Sequence, residues 1–203
     1  MDVKKHETNL QNKNKFFLPY FKLTALTGIA IFTCFTWIAI QNYLNYSLLY
    51  EYLSDLGVGD TALIFNTGVI LCGTLLLPYF VSQYRKNDFL AQLICFMGIA
   101  SLLFFICVGV FPLTSHDAHF FVASMFFFTM AATIFFALVQ FIKMTFNNKN
   151  TSPFSRFLFI LISIFAIANT IQYLLMQTPA WQKLAIASIA IWGIEWVFAK
   201  ANP

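Results

Sequence analysis

His116 and His119 stand three residues apart at the start of an apolar run, a spacing that places both imidazoles on one face of a helix's first turn. Apart from His6 they are the only histidines in the chain. Joined by a carboxylate from another segment, they make a workable ligand set for a divalent metal such as zinc, with a position open for water. Asp55 is the candidate carboxylate: Leu53 and Leu56 flank it on an amphipathic stretch, and a carboxylate pressed against a membrane needs a partner or a wet pocket. Such a site would activate water to hydrolyse or transfer a lipid ester or amide. The same residues also suit metal-free acid/base or hydrogen-bonding work, or a pH switch, because imidazole titrates near pH 6.5. A purely structural role at a membrane interface stays open beside these. Local roles account for the neighbours: Thr114 or Ser115 as N-cap, Asp117 at the positive end of a helix dipole, and a cap or turn bond for Asp55.

Three amides lean toward the same place. Asn66 lies about one turn into one apolar run, while Asn169 and Gln172 lie in the outer part of another. Side chains of this kind at membrane depth either face an interior cavity or bond between helices. With Asp55, His116 and His119 they outline a pocket open to the outer leaflet.

The elements that must position these residues follow from composition. Of 203 residues, 60% are hydrophobic and only 10% charged, against about 25% charged in ordinary soluble domains. The chain is therefore expected to be an all-α polytopic membrane protein, since lipid leaves unpaired backbone groups unsatisfied. Apolar runs long enough to cross a bilayer fall at about 20–41, 62–82, 90–110, 119–142, 155–176 and 180–199, predicting six transmembrane helices in one domain, 20–199. Residues 1–19 read as a disordered basic tail and 200–203 as a short cytoplasmic end. Eleven of the twelve Lys and Arg residues fall on one side of this arrangement: Lys4, Lys5, Lys13, Lys15, Lys22, Arg85, Lys86, Lys143, Lys149, Arg156 and Lys200. Only Lys183 falls on the other, so the positive-inside rule puts both termini in the cytoplasm of a prokaryotic cell membrane. Trp37, Tyr43, Tyr173 and Trp181 are expected near the outer boundary and Trp192 and Trp196 near the inner one.

The first outer connector, 42–61, is too apolar for a solvated loop. Leu48, Leu49, Tyr52, Leu53 and Leu56 follow helical spacing and predict a short interfacial helix, with Gly57 or Gly59 ending the turn that follows and Asp60 capping the second span. Gly68, Gly73 and Gly98 permit close helix contacts, within the chain or between copies. The four cysteines lie in apolar runs and behave as small hydrophobes. Glu195, near the inner end of the last run, reads as a snorkelling or ion-paired residue, with Lys200 or Arg156 as partner. The sequence carries no P-loop, no Gly-x-Ser-x-Gly elbow and no His-Glu-x-x-His motif, which disfavours those enzyme classes.

Tyr46-Ser47 leading to Ser54-Asp55-Leu56-Gly57, then Phe65-Asn66, then Gly109-x-Phe111-Pro112 followed by His116 and His119, resemble the prokaryotic membrane-protein family called domain of unknown function 998. The likeness covers roughly 20–199 and implies a distant similarity to the Frag1/DRAM/Sfk1 group of six-span proteins, whose members are linked to lipid remodelling and lipid asymmetry. It implies that Asp55, Asn66, Pro112 and His116 occupy motif positions; it transfers no reaction. Two functions are thus expected from the sequence. One is a lipid-modifying hydrolase or transferase using Asp55, His116 and His119; the other is a non-catalytic membrane protein that binds lipid or a partner and senses or organises the bilayer. Membrane lipid is the expected partner in both, and nucleic acid is not.

Overall fold

The computed structural model describes residues 2–85, 87–146 and 152–199, with side chains from Leu18 onward except at Phe146 and Ala199. The topological markers Lys86, Lys149 and Lys200, the end 200–203 and the side chains of the tail lysines lie outside the described residues. Six α-helices follow in order: α1 (Asp2–Asn42), α2 (Ala62–Ser82), α3 (Phe89–Val110), α4 (His116–Phe146), α5 (Pro153–Met176) and α6 (Pro179–Ala199). There is no strand among the described residues.

Five stretches are long and apolar enough to cross a bilayer: Leu18–Asn42, Gly59–Ser82, Phe89–Val110, Leu113–Thr145 and Pro153–Met176. They make this a multi-pass helical membrane protein. The helix at the expected sixth span, α6, also has 21 residues, but Gln182, Lys183 and Glu195 interrupt its apolar run.

Local chemistry sets the boundaries. Asp88 caps α3 by accepting from the Ala91 amide at 3.2 Å, and Ser152 caps α5 by accepting from the Ser155 amide at 3.1 Å, with Pro153 in the first turn. Gln177 ends α5 in the left-handed region, φ +47°, its amide donating to the Tyr173 carbonyl, and Pro179 opens α6 two residues later.

Each helix packs on the next in sequence, and α6 returns to α1, closing a ring. Glycines seat α1 on α2 and α2 on α3. A Cβ at Gly68 would lie 2.6 Å from Phe35 Cβ, one at Gly73 2.5 Å from Ile106 Cγ1, and one at Gly98 2.1 Å from Phe80 Cδ1. These small residues serve contacts within the chain. The run Phe126 to Phe128 splits by helical period, the first two rings buried and Phe128 exposed.

Two expectations are corrected here. Trp192 and Trp196 do not form a lipid-facing belt: both are about 1% exposed and stack at 5.7 Å and 15°, with Phe159 against Trp196. Spaced four apart, they share one face of α6, and that face turns inward. The connector 43–61, hereafter the cap, does not form an interfacial helix. It folds into two 3-10 turns, Leu53–Gly57 and Gly59–Thr61. Leu48 and Leu49 are exposed while Leu56 is fully buried, so the leucines do not share one face.

Candidate functional site

The cap is fastened at its own start and across to the α5–α6 junction. Within it, the Ser47 amide donates to Glu51 Oε2 at 2.7 Å, the Tyr46 hydroxyl to the Tyr52 carbonyl at 3.2 Å, and the Tyr52 amide to Asp55 Oδ2 at 2.6 Å. Across to the junction, the Leu53 amide donates to Gln182 Oε1 at 2.7 Å, the Tyr52 hydroxyl to the Gln177 carbonyl, and Lys183 Nζ to the Glu51 carbonyl. Lys183 Nζ also lies 5.6 Å from the centre of the Tyr46 ring, within cation–π range. Burial raises the Tyr46 phenol above its ordinary pKa, and the nearby Asp55 and Glu51 carboxylates push the same way.

This arrangement gives the motif residues local tasks. Asp55 spends one carboxylate oxygen on the amide that opens the 3-10 turn. Asn66 Nδ2 donates to the Gly57 carbonyl at 3.1 Å, and a Cβ at Gly57 would lie 2.7 Å from Asn66 Oδ1. Gly57 is therefore small because Asn66 packs over it. The left-handed position belongs to Gly59, φ +69°. Asp60 accepts no capping bond for α2, whose N-cap position is taken by Thr61; the Thr61 hydroxyl donates instead to the Leu56 carbonyl at 2.8 Å.

The two histidines part company. His116, the first residue of α4, has a 78% exposed side chain beside Asp117, Nδ1 to Oδ1 3.4 Å. His119 is 4% exposed, and its Nδ1 lies 2.7 Å from the Phe111 carbonyl oxygen. A carbonyl only accepts, so Nδ1 carries a proton, and in the neutral imidazole Nε2 is then an acceptor. Among the described residues, no three or more His, Cys, Asp or Glu side chains form a group able to hold a metal ion. The pocket expected from Asp55, His116 and His119 is thus not assembled: the first caps the 3-10 turn, the second faces outward, and only the third faces the interior.

His119 lines a cavity of about 30 Å³ beneath the cap, together with Ser54, Gln182, Phe65, Phe127 and further apolar side chains from α1 to α4 and α6. A second cavity of about 70 Å³ continues into the bundle toward Tyr79, Met130 and Trp192. Phe32, Phe105, Phe126 and Ile186 line both, so the two cavities adjoin across these side chains. Asn66, Asn169 and Gln172 line neither. Asn169 is buried with no partner for Nδ2 among the described residues, and Gln172 is half-buried. The sequence reading missed Ser54 and Gln182. Ser54 sat unread inside the Ser-Asp-Leu-Gly motif, while Gln182 gave no signal, since only the fold shows which α6 face meets the cap.

A family model described as Protein of unknown function (DUF998) matches residues 27–201. The chain belongs to that family. No curated protein and no solved structure matches it. In this DUF998 protein the quoted motif residues Asp55, Gly57 and Asn66 all lie in or against the cap.

Proposed function

We propose that this DUF998 protein is a six-span protein of a prokaryotic cytoplasmic membrane, termini inside and cap outside, that binds membrane lipid in its interior beneath the cap. The observation that carries the reading is the pair of adjoining cavities, apolar except where Ser54, His119 and Gln182 line the cap end. In orientation, Arg85, Lys143 and Arg156 belong to helix ends away from the cap and Lys183 lies beside it, which supports an outward cap. As the sixth span, the 21 residues of α6 reach about 31 Å at 1.5 Å per residue. Its Gln182 and Lys183 sit at the cap end and bond the cap, outside the hydrocarbon. The resemblance to the Frag1/DRAM/Sfk1 group, linked to lipid remodelling and asymmetry, points to lipid as well.

A metal-dependent hydrolase or transferase needs Asp55, His116 and His119 to converge, and their separate placement makes binding the better-supported activity. The reading is tested by extracting lipid from protein purified in a bulky, non-chain detergent. About one tightly held lipid per chain is expected, and it should be depleted in a Cys72→Phe variant that fills the inner cavity. Wild-type protein free of lipid after gentle purification would contradict it.

A further inference from the structure

The two adjoining cavities are not lined alike, and the difference selects a head group. At the cap end Gln182 Oε1 accepts from the Leu53 amide at 2.7 Å and one of its two Nε2 hydrogens goes to the Tyr173 hydroxyl at 3.5 Å, so that it keeps one N–H to donate. Beside it stand the Ser54 hydroxyl, which makes no hydrogen bond to a described residue, and His119 Nε2, the ring nitrogen that the Phe111 carbonyl does not engage. The cavity thus offers the Gln182 N–H as a donor, the Ser54 hydroxyl as donor or acceptor and, in the neutral imidazole, His119 Nε2 as an acceptor. No Lys or Arg lines it, so a phosphate or carboxylate head would enter without a counter-charge. Its size excludes large heads as well: at about 10–15 Å³ for one water, 30 Å³ holds about two water-sized groups.

Beyond the shared ring of Phe32, Phe105, Phe126 and Ile186 the lining turns apolar, with Cys72, Leu76, Leu102 and Met130. On the same scale its 70 Å³ holds about five water-sized groups. At the far end stands Trp192, about 1% exposed.

Building on the lipid-binding reading, we propose that the two cavities open into one path that takes a single straight aliphatic chain ending in an uncharged hydroxyl. The hydroxyl donates to His119 Nε2 and accepts from Ser54 at the cap end, and the chain passes between Phe105 and Phe126 toward Trp192. The class of ligand is a medium-chain primary alcohol. A second chain does not fit beside the first, so a two-chain lipid enters by one chain only, and a carboxylate head finds no Lys or Arg counter-charge.

The test uses a diazirine-bearing octanol on the full chain in lipid nanodiscs, with labelled residues mapped by mass spectrometry. Saturable labelling of Met130, Cys72 or Trp192 is expected, competed by octanol but not by octane, octanoate or octyl phosphate at equal concentration. Ser54→Ala removes one hydrogen bond without a change of shape and should weaken competition by octanol about threefold to tenfold. Cys72→Leu, which fills the inner cavity, should abolish the interior label in protein that stays monodisperse. Labelling confined to bilayer-facing residues such as Leu103 and Phe128, in protein that still carries tightly held lipid, overturns this inference and leaves the broader reading standing. Equal competition by octanoate or octyl phosphate, or an interior label indifferent to Ser54→Ala, overturns the assignment of the head.

Discussion

Asn66, in the first turns of α2, donates its side-chain amide to the Gly57 carbonyl at 3.1 Å and leaves no room there for a β-carbon, which would lie 2.7 Å from its Oδ1. One residue pair thereby joins the cap to the second helix through both a hydrogen bond and a steric requirement. Gly57→Ala should destabilise the protein by roughly 1–3 kcal/mol, as overpacking does. Asn66→Ala alone should cost about 1 kcal/mol from the lost bond, and the double variant should cost less than the two added together. Thermal unfolding of the four proteins in one detergent checks this; strict additivity would show that the two residues are uncoupled.

The cap's attachment to α6 depends on Gln182. Replacing it by leucine leaves the partly buried Leu53 amide without its acceptor, a cost of about 1 kcal/mol. The expected outcome is local: hydrogen exchange should accelerate across 53–57 while α3 and α4 keep wild-type protection. Uniformly faster exchange would mean that the cap and bundle unfold as one unit.

Alkaline pH probes the base of the cap. Burial and the neighbouring carboxylates raise the Tyr46 pKa above its ordinary 10.0. A raised folded-state value means the stabilisation from its neutral hydroxyl is fully present below pH 10 and is lost only as pH rises through the higher folded value. Phenolate absorbance should therefore show the same number of tyrosines ionising near pH 10 in wild type and Tyr46→Phe. One fewer in the variant would place Tyr46 in an ordinary, solvated environment.

Much of the scaffold was written in the residues themselves. Length, apolar runs and breaker residues marked the ends of α2 to α6 within a few positions, because a helix in lipid must be continuous and must satisfy its own backbone, whereas α1 begins at Asp2, inside the stretch read as a tail. The residues that build the interior were harder to read. His116 and His119 share a helical spacing, yet burial separates them, since the register of α4 against its neighbours decides which imidazole turns inward. Trp192 and Trp196 looked like aromatics of a lipid-facing belt because position along a span says nothing of which face is lipid-exposed. The leucines of the cap matched a helical period, but bonds from Glu51 and Asp55 to backbone amides offered the chain other partners and drew it into tight turns.

Helix seating gives a contrast within one residue type. Gly98→Ala would force a methyl to within 2.1 Å of the Phe80 ring, whereas at Gly193 the nearest atom, Ile29 Cδ1, is 3.4 Å away. Gly98→Ala should lower the melting temperature by several degrees, through about 1–3 kcal/mol of overpacking between α2 and α3. Gly193→Ala should leave it unchanged or slightly raised, helped by the better helix propensity of alanine. Equal responses would contradict the placement of α2 on α3.

The claim that the interior beneath the cap is a lipid site is tested most directly by a density map of the protein in lipid nanodiscs, with a bound antibody fragment as fiducial. The account predicts continuous, chain-shaped density running from Ser54 and His119, between Phe105 and Phe126, to Trp192. A map in which side chains close that path, with lipid density only around the outer perimeter of the helices, would contradict it.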